Sequence, residues 1–308
     1  MKKYLITGGA GFIGYHLANR LKNKNNKIYI LDLKKKINKK KHQFKHCELI
    51  VGDISKKSTF NKLKKKFDTI FHLAAKTSTQ VAELHPGDCL NTNVLGTLNL
   101  FQWAKIYKPK RIIFTSSMAV YGKNADSAKE DQKCKPSSIY GISKLSGEKI
   151  LIKLRDINIQ IIIMRLFNVY GPKQDFSNLK QGMLSIYLSQ IFKKHRVKIT
   201  GSLKRYRDFI FIDDVIDALT LNLPRKNSGI FNVGSGKPTK VYNLIRLIFS
   251  TLKIRISKNS IIQLKPHAGD TWGSFGNINK LKKYKWKPKF SLVKGLKKTI
   301  LDLKTSKI

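Results

Sequence analysis

The sequence feature that most constrains the fold is a glycine-rich turn near the amino terminus. Gly8-Gly9-Ala10-Gly11-Phe12-Ile13-Gly14 follows the apolar run Tyr4-Leu5-Ile6 after a single residue, Thr7. A strand, a tight turn and a helix start in this order place backbone N–H groups and a helix amino terminus against a phosphate. Gly8 is expected to allow the turn, Gly11 to let the phosphates approach, and Gly14 to let the helix pack on the strand. The pattern predicts a dinucleotide pyrophosphate site. A glycine-rich turn without a ligand is the alternative.

The second predicted strand ends at an acidic residue. The run Lys27-Ile28-Tyr29-Ile30-Leu31 is followed at once by Asp32. A carboxylate at this place accepts hydrogen bonds from both hydroxyls of an adenosine ribose, whereas it repels the additional phosphate of NADP. We therefore predict that the cofactor is NAD and that NADP binds more weakly.

Strand-like and helix-like segments alternate along the first half of the chain. The apolar runs lie at 28–31, 48–51, 69–73, 111–114 and 160–164. The amphipathic stretches lie near 13–24, 56–66, 91–107 and 138–155. This alternation predicts an α/β fold of the Rossmann type, a doubly wound parallel sheet with helices on both faces. The pattern loosens after Gly171-Pro172. We expect an NAD-binding domain over residues 1–170, with 207–233 returning to it, and a smaller substrate-binding lobe over 171–308.

The charge of the chain is strongly positive. There are 62 Lys and Arg residues against 18 Asp and Glu residues, which gives +44. Such a charge can indicate a nucleic-acid or anionic-membrane binder, but the lysines occur throughout the chain and form no basic motif interleaved with aromatic residues. The three cysteines form no CxxC motif, and no apolar run reaches the ~20 residues of a membrane span. We expect a cytoplasmic protein without a metal, a specific nucleic-acid partner or a membrane partner.

A tyrosine and a lysine at helical spacing indicate acid–base chemistry. Tyr140 and Lys144 lie four residues apart in a predicted helix and therefore on one face of it. An ammonium near a phenol favours the phenolate, which predicts a pKa of Tyr140 lowered from its usual value of about 10. An ordinary exposed Tyr/Lys pair is the alternative. Thr115-Ser116-Ser117, at the end of the preceding strand, favours the catalytic interpretation.

Further motifs extend along nearly the whole chain. They are Gly52-Asp53-Ile54, His72-Leu73-Ala74-Ala75, Asn93-Val94-Leu95-Gly96-Thr97, Ser116 to Gly122, Arg165 to Pro172, Arg207 to Val215, Phe231-Asn232-Val233-Gly234, Gly269-Asp270 and Trp286-Lys287-Pro288. With these motifs the chain resembles the extended short-chain dehydrogenase/reductase family, in its NAD-dependent nucleotide-sugar epimerase/dehydratase branch of enzymes like UDP-glucose 4-epimerase. The resemblance implies epimerisation of a nucleotide-diphosphate sugar, UDP-linked, at C4 through a 4-keto intermediate. It also implies a homodimer and a role in carbohydrate metabolism, including cell-surface polysaccharide biosynthesis.

The resemblance also implies roles for individual residues. The cofactor contacts would be Gly8, Gly11, Phe12, Ile13, Gly14, Asp32, Asp53, Ile54, Leu73, Ala74, Ala75, Lys76, Asn93, Tyr140 and Lys144. The catalytic residues would be Ser117, Tyr140 and Lys144. The substrate contacts would be Ser117, Met118, Asn168, Arg207, His267 and Asp270. For Arg207 the alternative is a salt bridge to Asp213 or Asp214, and for Asn168 it is a turn-capping role.

Two departures from the family pattern bear on the reaction. His267 stands where many relatives carry a phosphate-clamping arginine, and a neutral imidazole donates one hydrogen bond instead of a bidentate pair. Met118-Ala119 stands where the 4,6-dehydratases carry an acidic pair, and neither side chain can transfer a proton. Dehydration is therefore disfavoured. Another reaction of this family on a nucleotide sugar, NAD(P)H-dependent reduction or the disfavoured dehydration, and a non-catalytic NAD-binding role stay open as alternatives.

Overall fold

The computed structural model describes residues 1–123, 125–179, 182–224, 227–265 and 272–305. The strands in chain order are β1 Lys2–Thr7, β2 Asn26–Asp32, β3 Glu48–Val51, β4 Thr69–His72, β5 Arg111–Ser117, β6 Gln160–Leu166, β7 Asn168–Tyr170, β8 Val197–Thr200, β9 Tyr206–Arg207, β10 Phe209–Phe211, β11 Gly229–Val233, β12 Thr239–Lys240, β13 Ile261–Leu264 and β14 Gly273–Ser274. The helices are α1 Phe12–Leu21, α2 Lys34–Lys40, α3 Lys57–Asn61, α4 Thr79–Leu84, α5 Pro86–Leu90, α6 Gly96–Tyr107, α7 Ile139–Ile152, α8 Met183–Lys194, α9 Ile212–Leu219, α10 Val241–Leu252, α11 Asn279–Lys282 and α12 Leu292–Thr305.

The contacts divide the chain into two compact units. The first contains residues 1–120, 138–165 and 219–231. It is built on a seven-stranded sheet with the order β11-β6-β5-β4-β1-β2-β3, in which the pairs β1–β2, β1–β4, β2–β3 and β4–β5 are parallel. The central strands are buried on both faces and read as continuous apolar runs, which is typical of a parallel sheet covered by helices. The predicted α/β fold of the Rossmann type is confirmed.

The second unit contains residues 121–137, 166–218 and 232–308. Its strands form smaller sheets, in which β7 pairs with β10 and β8 with β13 in parallel, and β9 lies between β12 and β14. These boundaries differ from the expected ones. The returning segment is 219–231 instead of 207–233, because only β11 joins the large sheet while β9 and β10 pair within the second unit. Residues 121–137 also belong to this second unit, as Ala128 N donates to Phe275 O.

Two helices of the first unit are shorter than their sequence patterns. The stretch 56–66 was expected to be helical throughout, but α3 ends at Asn61. Leu63 and Phe67 are nevertheless buried. A continued helix would place Lys62 and Lys66 four residues apart on one face, and like charges at this spacing destabilise a helix. The stretch 91–107 begins with one turn of π-helix over Asn91–Leu95 before α6. A π-helical turn is rare and often marks a functional position.

Within the described ranges, no helix is long and apolar enough to cross a membrane. No group of three His, Cys, Asp or Glu side chains that could hold a metal ion is found in that part of the chain either.

Candidate active site

The glycine turn between β1 and α1 depends on the small size of its glycines. Gly8 has a φ of +70°, and a Cβ atom there would lie 2.7 Å from the backbone of Ala74. A Cβ on Gly14 would lie 2.5 Å from Gly9 Cα. Among the described residues, a Cβ on Gly11 would meet only the Gly8 carbonyl oxygen, at 3.0 Å. Gly8 and Gly14 therefore serve close packing of the backbone, while Gly11 leaves room on the side where a phosphate would approach.

The amino terminus of α1 is suited to an anion. The helix begins at Phe12 with Gly11 as its N-cap, so no side chain at the cap position can accept from the first backbone N–H groups. Its first turn, Phe12-Ile13-Gly14, contains no acidic residue. The helix dipole adds partial positive charge at this end. The turn and the helix start thus fit the pyrophosphate of a dinucleotide.

Asp32 holds the glycine turn in place and keeps acceptor capacity for a ligand. Its Oδ2 accepts from Ala10 N at 3.0 Å and its Oδ1 from Leu33 N at 2.8 Å. Burial raises the pKa of this carboxyl, whereas the two backbone hydrogen bonds and the charges of Lys36 and Lys40 lower it. An ionised carboxylate has about four acceptor sites, so two backbone hydrogen bonds leave others for ribose hydroxyls.

Asp53 and Ile54, which the family resemblance implies flank the adenine of the cofactor, are engaged with the protein. Asp53 Oδ1 accepts from Ser55 N at 2.9 Å and from Ser55 Oγ at 2.8 Å. The Ile54 side chain is buried and lies close to Gly96. A Cβ atom added at Gly96 would be 2.6 Å from Ile54 Cδ1. The Ile54 carbonyl oxygen accepts from Asn99 Nδ2. Ile54 therefore packs in the core against α6, and its adenine contact stays a prediction.

Asn93, an expected cofactor contact, has a structural role in the π-helical turn. Its Oδ1 accepts from Lys76 N at 2.8 Å, and its Nδ2 donates to Lys76 O at 3.0 Å and to Ser143 Oγ at 2.9 Å. The side chain thus joins the loop after β4, which carries Leu73 to Lys76, to helix α7, which carries Tyr140 and Lys144. Thr97 Oγ1 donates to Asn93 O at 2.6 Å and is within 3.0 Å of His72 Nε2. These contacts fix the loop predicted to line the cofactor.

The three predicted catalytic residues come together at the end of β5 and the start of α7. Ser138 caps α7 by accepting from Gly141 N at 3.1 Å, which fixes the first turn of the helix where Tyr140 lies. Tyr140 and Lys144 are both buried. Ser117 Oγ accepts from Ala119 N at 3.2 Å, and the Ser117 side chain lies close enough to Tyr140 to lower the pKa of its phenol. The exposed Tyr/Lys alternative is therefore wrong.

The pKa values of this pair correct one expectation. The pKa of Tyr140 was predicted to fall, but burial raises it to about 12, and the nearby Ser117 side chain only partly opposes that rise. Burial also lowers the pKa of Lys144 to about 8. Loss of solvation disfavours the charged form of both groups, and it is the largest cause of both shifts. The Lys144 ammonium lies 4.6 Å from the centre of the Phe114 ring, which supplies a cation–π contact.

Two of the expected substrate contacts lie in the second unit. Asn168 Nδ2 donates to Asp208 O at 2.9 Å, so this amide also ties β7 to β10. Arg207 is buried, and its Nη1 donates to Tyr206 O at 2.8 Å and to Trp272 O at 3.4 Å. Met118 follows β5 in the first unit, at the start of a short 3-10 helix. His267 and Asp270 lie outside the described residues.

Comparison with known proteins decides the family. The family model described as "NAD dependent epimerase/dehydratase family" matches residues 4–234. The chain belongs to this family. A Methanocaldococcus jannaschii protein assigned as a UDP-glucose 4-epimerase is 34% identical and covers 98% of both chains. UDP-glucose 4-epimerase from Thermotoga maritima, in a crystal structure with UDP-glucose, has a TM-score of 0.89 at 28% identity over 98% of both chains. UDP-N-acetylglucosamine 4-epimerase from Methanobrevibacter ruminantium, in complex with UDP-N-acetylmuramic acid, has a TM-score of 0.88 at 29% identity over 98% of both chains.

Family membership confirms the resemblance and the NAD dependence, but the structure adds residues that the sequence analysis did not identify. Glu148 continues the helical face of Tyr140 and Lys144, and Arg165 interrupts the apolar run of β6. Asp208 is fully buried, and its carboxylate accepts from Ser235 N and Oγ and from Gly236 N and Gly276 N. Two signals in the sequence could have pointed to Glu148 and Arg165. One is an acidic residue four positions after Lys144, and the other is a charged residue near the end of an apolar strand.

Proposed function

We propose that this protein is an NAD-dependent 4-epimerase of a UDP-sugar. The observation that carries the proposal is the buried Tyr140–Lys144 pair, with Ser117 beside the tyrosine. These groups lie at the carboxyl end of β5, in the same parallel sheet whose β1 leads into the glycine turn. Ligands of open α/β sheets bind beyond this end of the strands. NAD, when bound, supplies a reversible hydride acceptor.

Tyr140 is the acid and base for the C4 hydroxyl of the sugar. With a pKa of about 12, its phenol is protonated at neutral pH, so it can accept a proton only where added positive charge stabilises the phenolate. Lys144 provides such a charge while its own amine is protonated, below its pKa of about 8. Ser117 holds the phenol oxygen and passes the proton between that oxygen and the substrate hydroxyl.

Epimerisation requires that one end of the substrate is held while the sugar turns over. We assign the holding role to Asn168 and Arg207, which would bind the diphosphate. Asp208 supports both positions, since its carbonyl oxygen accepts from the Asn168 amide and it directly follows Arg207. An arginine–phosphate contact contributes roughly 1.5–3 kcal/mol. Arg207→Ala should therefore weaken UDP-sugar binding roughly 10- to 150-fold, measured by calorimetry on a variant whose melting temperature is also recorded.

The reaction is tested with a panel of UDP-, GDP- and dTDP-sugars, with products followed by mass spectrometry and NMR. Isomerisation without net change in NADH supports the epimerase. Stoichiometric consumption of NAD(P)H would indicate a reductase and loss of water a dehydratase, while no reaction with any sugar favours the non-catalytic NAD-binding role. A C4-deuterated sugar sharpens the result. Because the hydride returns to the same carbon, the label should stay in the product without exchange into free NADH.

The expected homodimer is also a proposal. Leu84, Leu90, Leu95 and Ile142 are exposed apolar side chains on α4, α5, the π-helical turn and α7, and these segments pack against one another. Exposed apolar side chains on adjoining segments favour contact with another subunit. Sedimentation should show a dimer that Ile142→Lys weakens, while Leu301→Lys, at an exposed leucine of α12, should leave it intact.

We infer a cytoplasmic location from the three cysteines, Cys47, Cys89 and Cys134. All three are free thiols, which fits a reducing compartment. A role in carbohydrate metabolism, including cell-surface polysaccharide biosynthesis, stays a prediction. Measuring nucleotide-sugar pools in cells with and without the protein would test it.

A further inference from the structure

A buried ion pair lies next to the catalytic residues and has no part in the mechanism proposed above. The Glu148 carboxylate accepts from Arg165 Nε at 2.9 Å, from Arg165 Nη2 at 2.7 Å and from the Ser116 hydroxyl at 2.5 Å. Both charged side chains are buried. A buried ion pair is on average no more stabilising than well-packed apolar residues of similar volume. Stability alone therefore does not account for it.

The ion pair connects the elements that carry the catalytic groups. Glu148 lies on α7, eight residues after Tyr140 and four after Lys144, and therefore on the same helical face. Ser116, its third partner, directly precedes Ser117 at the end of β5. Arg165 lies near the end of β6, which neighbours β5 in the sheet. A single carboxylate thus joins the tyrosine–lysine helix to the strand end that presents the catalytic serine.

We propose that Glu148, clamped by Arg165, is a positioning residue that fixes the Ser117 strand end against α7 and keeps Lys144 charged for cofactor binding. The proposal rests on the role of Lys144 as a cofactor contact, which the family resemblance implies. It makes no use of the sugar reaction itself.

The groups around Lys144 support this role. Burial lowers the pKa of Lys144 to about 8, and the Glu148 carboxylate on α7 partly opposes this shift, as a thiolate at Cys89 on α5 would. His72 on β4 has a pKa lowered to about 3, so it adds no positive charge near neutral pH. Removing the Glu148 charge would also take away the carboxylate that neutralises the buried Arg165 guanidinium. Both changes oppose protonation of Lys144.

Substitutions of Glu148 and of Arg165 should therefore shift the pH dependence of NADH binding in opposite directions. NADH affinity of the whole protein is measured by fluorescence, without a sugar, between about pH 6 and pH 10. The pH at which half of the affinity is lost, the midpoint, is then compared between the wild-type protein and its variants. Glu148→Gln should lower this midpoint by about one pH unit. Arg165→Met should raise it, because Glu148 then has Lys144 as its nearest cation. Arg165→Lys keeps the positive charge and should restore the wild-type midpoint.

The control is Glu48→Gln, which removes a carboxylate ion-paired with Lys27 and Lys65 at the surface, and it should leave the midpoint unchanged. The proposal would be overturned if all variants had the same midpoint, or if Glu148→Gln and Arg165→Met shifted it in the same direction. The ion pair would then have a structural role only. If Glu148→Gln does not fold, the comparison of Arg165→Met with Arg165→Lys decides the question. Because no sugar is present, a failure of the 4-epimerase assay would not alter this outcome.

Discussion

The glycine turn between β1 and α1 and the catalytic helix α7 are built in different ways. The turn works through its backbone: Gly8 has a positive φ, and Gly14 lies against Gly9 with no space for a Cβ. The helix works through side chains whose partners come from distant segments, such as Ser117 for Tyr140 and Arg165 for Glu148. The glycine turn, the backbone site, should therefore be sensitive to substitutions that add atoms. Helix α7 with its partners, the side-chain site, should be sensitive to substitutions that remove atoms or change charge.

The largest effect is expected from a substitution that removes one oxygen atom from the side-chain site. Tyr140→Phe should lower kcat at least about 100-fold, or ~2.7 kcal/mol, because the proton of the C4 hydroxyl then has no acceptor. NADH affinity should change little, since the ring is kept. Tyr107→Phe removes a hydroxyl from a ring stacked on Trp103 in α6 and should leave kcat unchanged. A Tyr140→Phe variant with more than about a tenth of the wild-type kcat would show that another group transfers the proton.

The second prediction concerns a substitution that adds one carbon atom to the backbone site. Gly8→Ala should lower NADH affinity at least about tenfold, or ~1.4 kcal/mol, and also lower the melting temperature. The new Cβ would lie 2.7 Å from the Ala74 backbone in a left-handed conformation that alanine rarely adopts. Gly87→Ala is the matched control, as a Cβ there meets no atom within 4 Å among the described residues. If both variants behaved alike, the turn would be more adaptable than its contacts indicate.

The same difference explains what could be predicted from the sequence. Glycine at positions 8, 11 and 14 and Asp32 after a strand are local requirements, so their spacing alone indicated the fold and the pyrophosphate site. The position of Tyr140 and Lys144 on one face was likewise a consequence of helical periodicity. Their pKa values were not predictable, because burial depends on packing that only the folded chain provides. Glu148 also could not be assigned, since Ser116 and Arg165 approach it from 32 and 17 residues away.

The third prediction concerns a histidine at the end of β4. His72 Nδ1 is 2.8 Å from Thr7 Oγ1, and burial lowers the pKa of the imidazole to about 3 from an ordinary value near 6.5. The unfolded chain therefore binds a proton that the folded protein excludes, so stability falls as the pH drops below about 6.5 and continues to fall towards pH 3. The contribution is up to about 1.4 kcal/mol per pH unit in this window.

Urea denaturation at several pH values tests this effect. His72→Asn should have a flatter dependence of unfolding free energy on pH between about pH 6 and pH 4 than the wild-type protein. His42→Asn, at an exposed histidine, should keep the wild-type slope. If His72→Asn and wild-type protein lose stability equally in acid, His72 is not the group that takes up the proton.

The smallest expected effect lies at the backbone site and involves charge. Asp32 should favour NAD over NADP, because two like charges ~4 Å apart repel by about 4 kcal/mol at an effective dielectric constant of ~20. The nearby Lys36 and Lys40, which lower the pKa of Asp32, also attract a phosphate, so the net preference should be closer to about tenfold. Asp32→Asn should reduce this preference, and Lys36→Gln with Lys40→Gln should increase it, as measured by NADH and NADPH fluorescence titrations. Tighter NADPH than NADH binding by the wild-type protein would contradict the assignment of Asp32.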